Sequence, residues 1–211
     1  DVGKIPRERR LTNEPRVGVN HRNGGNVTEE QFKETFGFRG GQFGSSLLSA
    51  QKEAQAHLNE SYDALMDLAG VLGVPPKALS LNGELALAFA ARGRGGVNAA
   101  AAHYERDTKG VVTDSTVVIN LTRKHGAGSL AHEWFHALDN YFARARKERG
   151  GMLTEKPFPR GEGVRPEMVA AFKNLMDTIK RTALEQRSMA LDKRRTKLYW
   201  STGLEMAARS F

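Results

Sequence analysis

Ser129-Leu130-Ala131-His132-Glu133-Trp134-Phe135-His136-Ala137-Leu138-Asp139-Asn140-Tyr141-Phe142 reads as one amphipathic helix, predicted over 129–147 with Ser129 as its cap. Leu130, Trp134, Leu138, Tyr141 and Phe142 make an apolar stripe, and His132, Glu133, His136, Asp139 and Asn140 fall on the other side. The spelling His132-Glu133-Trp134-Phe135-His136 is H-E-x-x-H. Two His four residues apart on a helix point the same way, so both imidazoles can reach one metal ion. Glu133 is turned slightly aside; it is no third ligand there, but it can hydrogen-bond a water at the metal. With this composition the motif arises by chance in about 1 chain in 100. The plainer alternative is a surface helix with two solvated His. The polar stripe on an otherwise apolar helix favours a metal, because buried polar groups must be satisfied.

The 211 residues contain no Cys, so disulfides and thiolate metal sites are excluded and a metal must use His, Asp and Glu. Catalytic zinc usually takes three protein ligands. Asp139 is one option for the third, but a single straight helix presents three ligands to one ion poorly. It fits better as a group that orients an imidazole. The other option is Glu205, in Gly203-Leu204-Glu205-Met206-Ala207-Ala208-Arg209. It is the only acid in the last predicted helix and stands among packing residues. Its bland reading is an i,i+4 pair with Arg209.

Working outward, Thr28 followed by Glu29, Glu30 and Gln31 marks a helix start. Phe36 to Gly44 reads as a Gly- and Phe-punctuated loop, without the GK[ST] ending of a phosphate cradle. Residues 45–73 read as a helix closed by Gly73 and Pro75-Pro76. Leu79–Asn82 and Leu85–Ala90 read as a strand pair turning at Asn82-Gly83. Ala100–Glu105 and Thr116–Leu121 read as a further hairpin. Residues 150–166 read as a Pro- and Gly-rich linker, 167–195 as one long basic helix, and the chain from Thr202 as a last helix. The expected class is α+β: a small, mainly antiparallel sheet, an active-site helix, and flanking helices.

Weaker candidates lie nearby. His103 and Tyr104 sit on a predicted strand that could pair with extended substrate, and a Tyr or His can steady an oxyanion. Tyr199 competes for that role. For each, a half-buried strand or loop residue is the plainer reading. Arg92 to Gly96 reads as a Gly-rich turn before it reads as a substrate loop, and His21, His57 and His125 show no partner pattern.

Of 32 Lys+Arg and 24 Asp+Glu, residues 140–199 hold 15 and 7, which equals the whole net charge of +8. That stretch could meet an anionic partner such as nucleic acid. A solvated helical extension is the plainer reading, since no aromatic residues interleave with the charges. No run of 18 apolar residues exists, so no membrane span is expected. The chain opens Asp-Val-Gly-Lys, without Met or signal peptide, and reads as a piece of a longer protein.

Several stretches together resemble the zincin-like large polyvalent protein-associated domain. They are Phe36-Gly37-Phe38-Arg39-Gly40, Ser80-Leu81-Asn82-Gly83, Leu87 to Gly93, Ala102-His103-Tyr104-Glu105, Ile119-Asn120-Leu121-Thr122, Gly126 to Asp139, and Tyr199-Trp200 with Glu205 to Phe211. The resemblance covers about residues 35–142 and 198–211. It implies a zincin-like domain over 35–211 with a basic helical insertion at about 143–197, preceded by an N-terminal arm, 1–34. Such domains occur in very large proteins of phages, plasmids and conjugative elements, so the implied location is bacterial cytoplasm, native or after delivery into a host. The family is assigned as a metallopeptidase by motif. The resemblance implies Zn2+ as cofactor, His132, His136 and Glu205 as its ligands, and Glu133 as catalytic base. Phe135 departs from it, standing where many relatives have Gly.

The expected function is therefore a zinc metallopeptidase that hydrolyses peptide bonds by Glu-assisted attack of a zinc-bound water, with a protein or peptide as substrate. The rival is a nucleic-acid-binding or structural zinc module of a mobile-element protein, or a protease acting on DNA-bound proteins. The same chemistry would also serve a non-peptide amide.

Overall fold

The computed structural model describes residues 16–43, 50–91, 102–106, 116–122, 129–145, 151–155 and 165–211. The described residues up to Ala137 form one compact unit and those from Leu138 onward another.

In the first unit, Thr28 starts helix α1 (Glu29–Phe36) with the expected capping box. Gln31 N donates to its hydroxyl at 3.1 Å, and Thr28 N donates to Gln31 Oε1 at 2.9 Å. Gly37, left-handed at φ 69°, ends the helix. Phe32 and Phe36 then meet Phe38 and Tyr62 in an aromatic cluster with centroids 5.0 to 6.1 Å apart. Helix α2 (Gln51–Leu72) ends at Gly73 as read from the sequence, and the predicted first turn, 45–49, lies outside the described residues.

Two acids of α2 hold the N-terminal segment. Asp67 accepts from Arg16 Nε at 2.7 Å and meets His21 Nε2 at 2.8 Å. Asp63 accepts from Arg22 Nε and from His21 N, each at 3.0 Å. Burial alone would raise the Asp67 pKa; the hydrogen bonds from His21 and Arg16 outweigh it and hold the carboxyl below its ordinary value. His21 thus has partners that its sequence neighbourhood did not signal, because they lie 42 and 46 residues away.

The four described strands are β1 (Gly41–Phe43), β2 (Ala86–Phe89), β3 (Ala102–Glu105) and β4 (Val118–Leu121), in spatial order β1-β2-β4-β3. The α+β class is as expected, but the sheet is mixed rather than mainly antiparallel. β2 pairs parallel with β1 and with β4, and only β3 and β4 form the expected antiparallel pair. The inner strands β2 and β4 are buried throughout, which is why both read as near-continuous apolar runs.

The predicted hairpin at Asn82-Gly83 is absent. Pro75-Pro76 instead pre-set a 3-10 helix, Pro76–Ser80. Ser80 Oγ donates to Lys77 O at 2.8 Å and accepts from Gly83 N at 3.0 Å. Leu81, Asn82 and Gly83 are all left-handed, so the chain reverses there without pairing two strands. Part of the predicted Phe36–Gly44 loop is strand β1.

Helix α3 (Leu130–Ala145) carries the H-E-x-x-H residues, and the division between the units falls within it. Trp134 Nε1 donates to Leu79 O at 2.9 Å in a buried contact, fixing the first half of α3 to the 3-10 helix.

In the second unit the long basic helix is two helices, α4 (Pro166–Lys180) and α5 (Ala183–Asp192). Thr182 makes the break. Its hydroxyl donates to Ile179 O at 2.7 Å and accepts from Leu184 N at 3.2 Å, so it closes one helix and caps the next. Phe172, Met176 and Ile179 bury the inner face of α4. Helix α6 (Gly203–Ser210) ends the chain. Among the described residues no helix is long and apolar enough to cross a membrane.

Candidate metal centre

The first half of α3 brings His132 and His136 together. Their Nε2 atoms are 3.1 Å apart, with ring centroids at 4.7 Å and planes at 88°. Two imidazole nitrogens facing each other this closely must share either a proton or a cation. Two ligands at zinc–nitrogen distances in a tetrahedral shell stand about 3.3 Å apart, close to the spacing here. His136 is 5% exposed and Glu133 is 7% exposed, while His132 is half-buried. Phe135, where the resemblance led to an expectation of Gly, is a buried core side chain of this helix.

His103 and Tyr104 lie on β3, at one edge of the described sheet, and are half-buried. His103 Nε2 meets Glu105 Oε1 at 3.1 Å, two residues along the same strand face. In register, His103 stands opposite Asn120, a fully buried polar residue of β4. The turn at 92–96 and His125 lie outside the described residues.

The second half of α3 uses its polar stripe to hold the chain that follows. Asp139 is fully buried; Thr154 N donates to its Oδ1 at 3.0 Å, and the Thr154 hydroxyl donates to its Oδ2. Asn140, also fully buried, donates to Gly151 O at 2.7 Å and accepts from Arg144 Nε at 3.2 Å. Residues 151–154, read from sequence as linker, are therefore buried against this helix. Their signal was the pair of polar residues on α3 that needed partners. Thr154 in turn sets the start of α6: a Cβ on Gly203 would lie 2.9 Å from Thr154 O and 3.2 Å from Met176 Cε.

Glu205, two residues on, is 5% exposed in the first turn of α6. The bland reading gave its carboxylate to Arg209. Arg209 instead donates through Nε to the Glu205 backbone carbonyl at 3.2 Å, and through Nη2 to Ser188 Oγ at 2.8 Å and to Trp200 O. Its guanidinium also lies 5.2 Å over the Trp200 ring.

The approach to α6 is fixed by Asp192 at the end of α5. Its carboxylate accepts from the backbone N–H of Tyr199, Trp200 and Ser201 and from the Ser201 hydroxyl, at 2.7 to 3.2 Å. Burial would raise the Asp192 pKa, but these donors prevail and lower it from 3.8 to about 2. Tyr199 is 41% exposed and packs edge-on against Trp200.

Residues 2–35 of the chain are similar to large polyvalent protein-associated domain 5. That match falls on the N-terminal segment, outside the residues on which the zincin-like resemblance was read. No curated protein and no solved structure matches the chain.

Proposed function

We propose that this chain is a zinc-dependent peptidase domain of a large polyvalent protein. The observation that carries the reading is the pair of Nε2 atoms 3.1 Å apart on one turn of α3, with buried Glu133 beside them. His132, His136 and Glu205 would hold the metal. Two imidazoles and a carboxylate suit zinc, and the chain offers no thiolate that would select a softer site. Further support comes from the second unit, where Asp139, Thr154 and Gly203 fix the helix that carries Glu205.

When bound, zinc would polarise a carbonyl oxygen and acidify a water. The chain's own groups do the rest. The Glu133 carboxylate accepts the proton of the attacking water and delivers it to the departing amine nitrogen. Its burial beside the two imidazoles keeps bulk water from competing for that proton. Strand β3, which carries His103 and Tyr104 at the edge of the described sheet, is the element we assign to pairing with an extended peptide.

The test compares digestion of an unfolded casein by the zinc-loaded chain and by Glu133→Gln. The wild type should cleave; the variant should hold the same zinc and cleave nothing. A zinc-replete Glu133→Gln sample that still turns over substrate would refute the assignment.

A further inference from the structure

The Gly- and Phe-rich stretch after α1 borders a cavity in the first unit. Its volume is about 310 Å³, and small-molecule sites span about 300 to 1,000 Å³. Phe32 of α1, Leu58 of α2 and Phe38 line it together with Phe43, Leu87 and Phe89 of the sheet. All of these are buried except Phe43, which is half-buried. The walls are therefore apolar, and they are held in place by packing among themselves. Phe32 and Phe38 stack at 6.0 Å, and Phe43 and Phe89 at 5.0 Å.

Gly40 and Gly41 border the same cavity. Neither has a positive φ, so no left-handed backbone requires glycine there. Packing does not require it either, since a Cβ on either residue would meet no atom within 4 Å. Gly41 is in register with Leu87 and Phe43 with Phe89. Residues two apart share a face, so a side chain at position 41 would rise on the face that lines the cavity. The effect of glycine here is to leave room for another molecule. Glu29, Glu30 and Lys33 of α1 also border the cavity, and all three are exposed. Among the described residues no ion pair joins Lys33 to either acid, so two carboxylates stand against one ammonium. First-turn acids also suit the dipole of α1, but that accounts for neither the apolar walls nor the open glycines.

We infer that this cavity binds a small organic cation, an ammonium carried on an apolar ring, with the ring among the phenylalanines and the ammonium at the Glu29 and Glu30 carboxylates. A flat apolar ring loses its water-exposed surface against such walls. An organic anion would meet two carboxylates at the border. A sugar would set hydroxyls against phenylalanine with nothing to pair them. The site stands apart from the peptidase reading, which uses none of these residues.

The experiment is ligand-observed NMR titration of the full chain with 2-phenylethylammonium, beside neutral 2-phenylethanol and anionic 3-phenylpropionate. The ammonium should bind most tightly and the anion least. Glu29→Gln/Glu30→Gln should weaken the ammonium roughly five- to tenfold and leave 2-phenylethanol unchanged. Gly41→Leu should abolish binding of both by filling the space beside the strand. Its thermal unfolding midpoint should not fall, because its Cβ meets no atom. Glu34→Gln, exposed on α1 and outside the cavity lining, should bind as the wild type does. The inference is overturned if the ammonium does not bind, or if a folded Gly41→Leu chain binds it as the wild type does. It is overturned equally if 2-phenylethanol or 3-phenylpropionate binds as tightly as the ammonium, or if Glu34→Gln weakens binding as much as the paired variant, which would make it a net-charge effect. The paired variant decides the matter even if Gly41→Leu does not fold, since unchanged ammonium binding there also overturns it.

Discussion

Removing the Asp139 carboxylate should loosen the whole second unit, and the size of the effect follows from its surroundings. The group is fully buried and receives two hydrogen bonds from one residue, Thr154, through its backbone N–H and its hydroxyl. A hydrogen bond to a charged group contributes about 1.5 to 3 kcal/mol, and a buried donor left unpaired costs its full desolvation. Asp139→Ala strips both acceptors at once, so a loss of about 3 kcal/mol is the low end of the expectation. For a chain of this size that lowers the unfolding midpoint by roughly 6 to 12 °C. Thr154→Ala removes only the hydroxyl and should cost about half as much, whereas Thr154→Ser should be close to neutral. Scanning calorimetry of the metal-free chain reads all three. The reasoning fails if Asp139→Ala shifts the midpoint by less than about 2 °C, or if Thr154→Ser is as damaging as Thr154→Ala.

Gly203→Ala tests the next contact in that series. Alanine in a helix gains up to about 1 kcal/mol over glycine, but the new Cβ would stand 2.9 Å from the Thr154 carbonyl, a backbone atom that cannot swing away. Overpacking costs about 1 to 3 kcal/mol, so the variant should be less stable and bind zinc more weakly; a stabilised variant with unchanged zinc affinity would contradict this. Acid should weaken the α5–α6 connection through Asp192. Its folded pKa, about 2, lies below its ordinary 3.8, so its contribution is complete above about pH 4 and is lost as pH falls toward 2. Asp192→Asn should remove that part of the acid dependence of stability, and an unaltered acid profile would argue against it.

Much of this was legible because it is local. The helical spacing of His132 and His136 fixed which way both rings point, and Thr28 with Gln31 announced a cap that formed as written. Gly73 stood at a helix end for a reason visible in the sequence, followed as it is by Pro75-Pro76. What escaped depended on distance. Nothing near Leu79 says that Trp134 will claim its carbonyl, and that claim belongs to a 3-10 turn rather than a strand. Strand direction escaped too, since β2 pairs with segments that no short turn connects to it. The break at Thr182 was hidden because threonine is tolerated inside helices and becomes a cap only when its hydroxyl finds the next turn. At the candidate centre, the histidines could be paired from spacing alone. The anchoring of α6 through Asp139, Thr154 and Gly203 required the fold, because Thr154 looked like linker.

The central claim is that His132, His136 and Glu205 grip one divalent ion. Zinc titration of the chelator-stripped chain against a competing indicator measures it directly. The wild type should take up one zinc per chain, His136→Ala should retain none at the same free zinc, and Glu205→Ala should bind at least tenfold more weakly. A wild-type chain that takes up no zinc, or a His132→Ala/His136→Ala variant that holds as much as the wild type, would contradict the account.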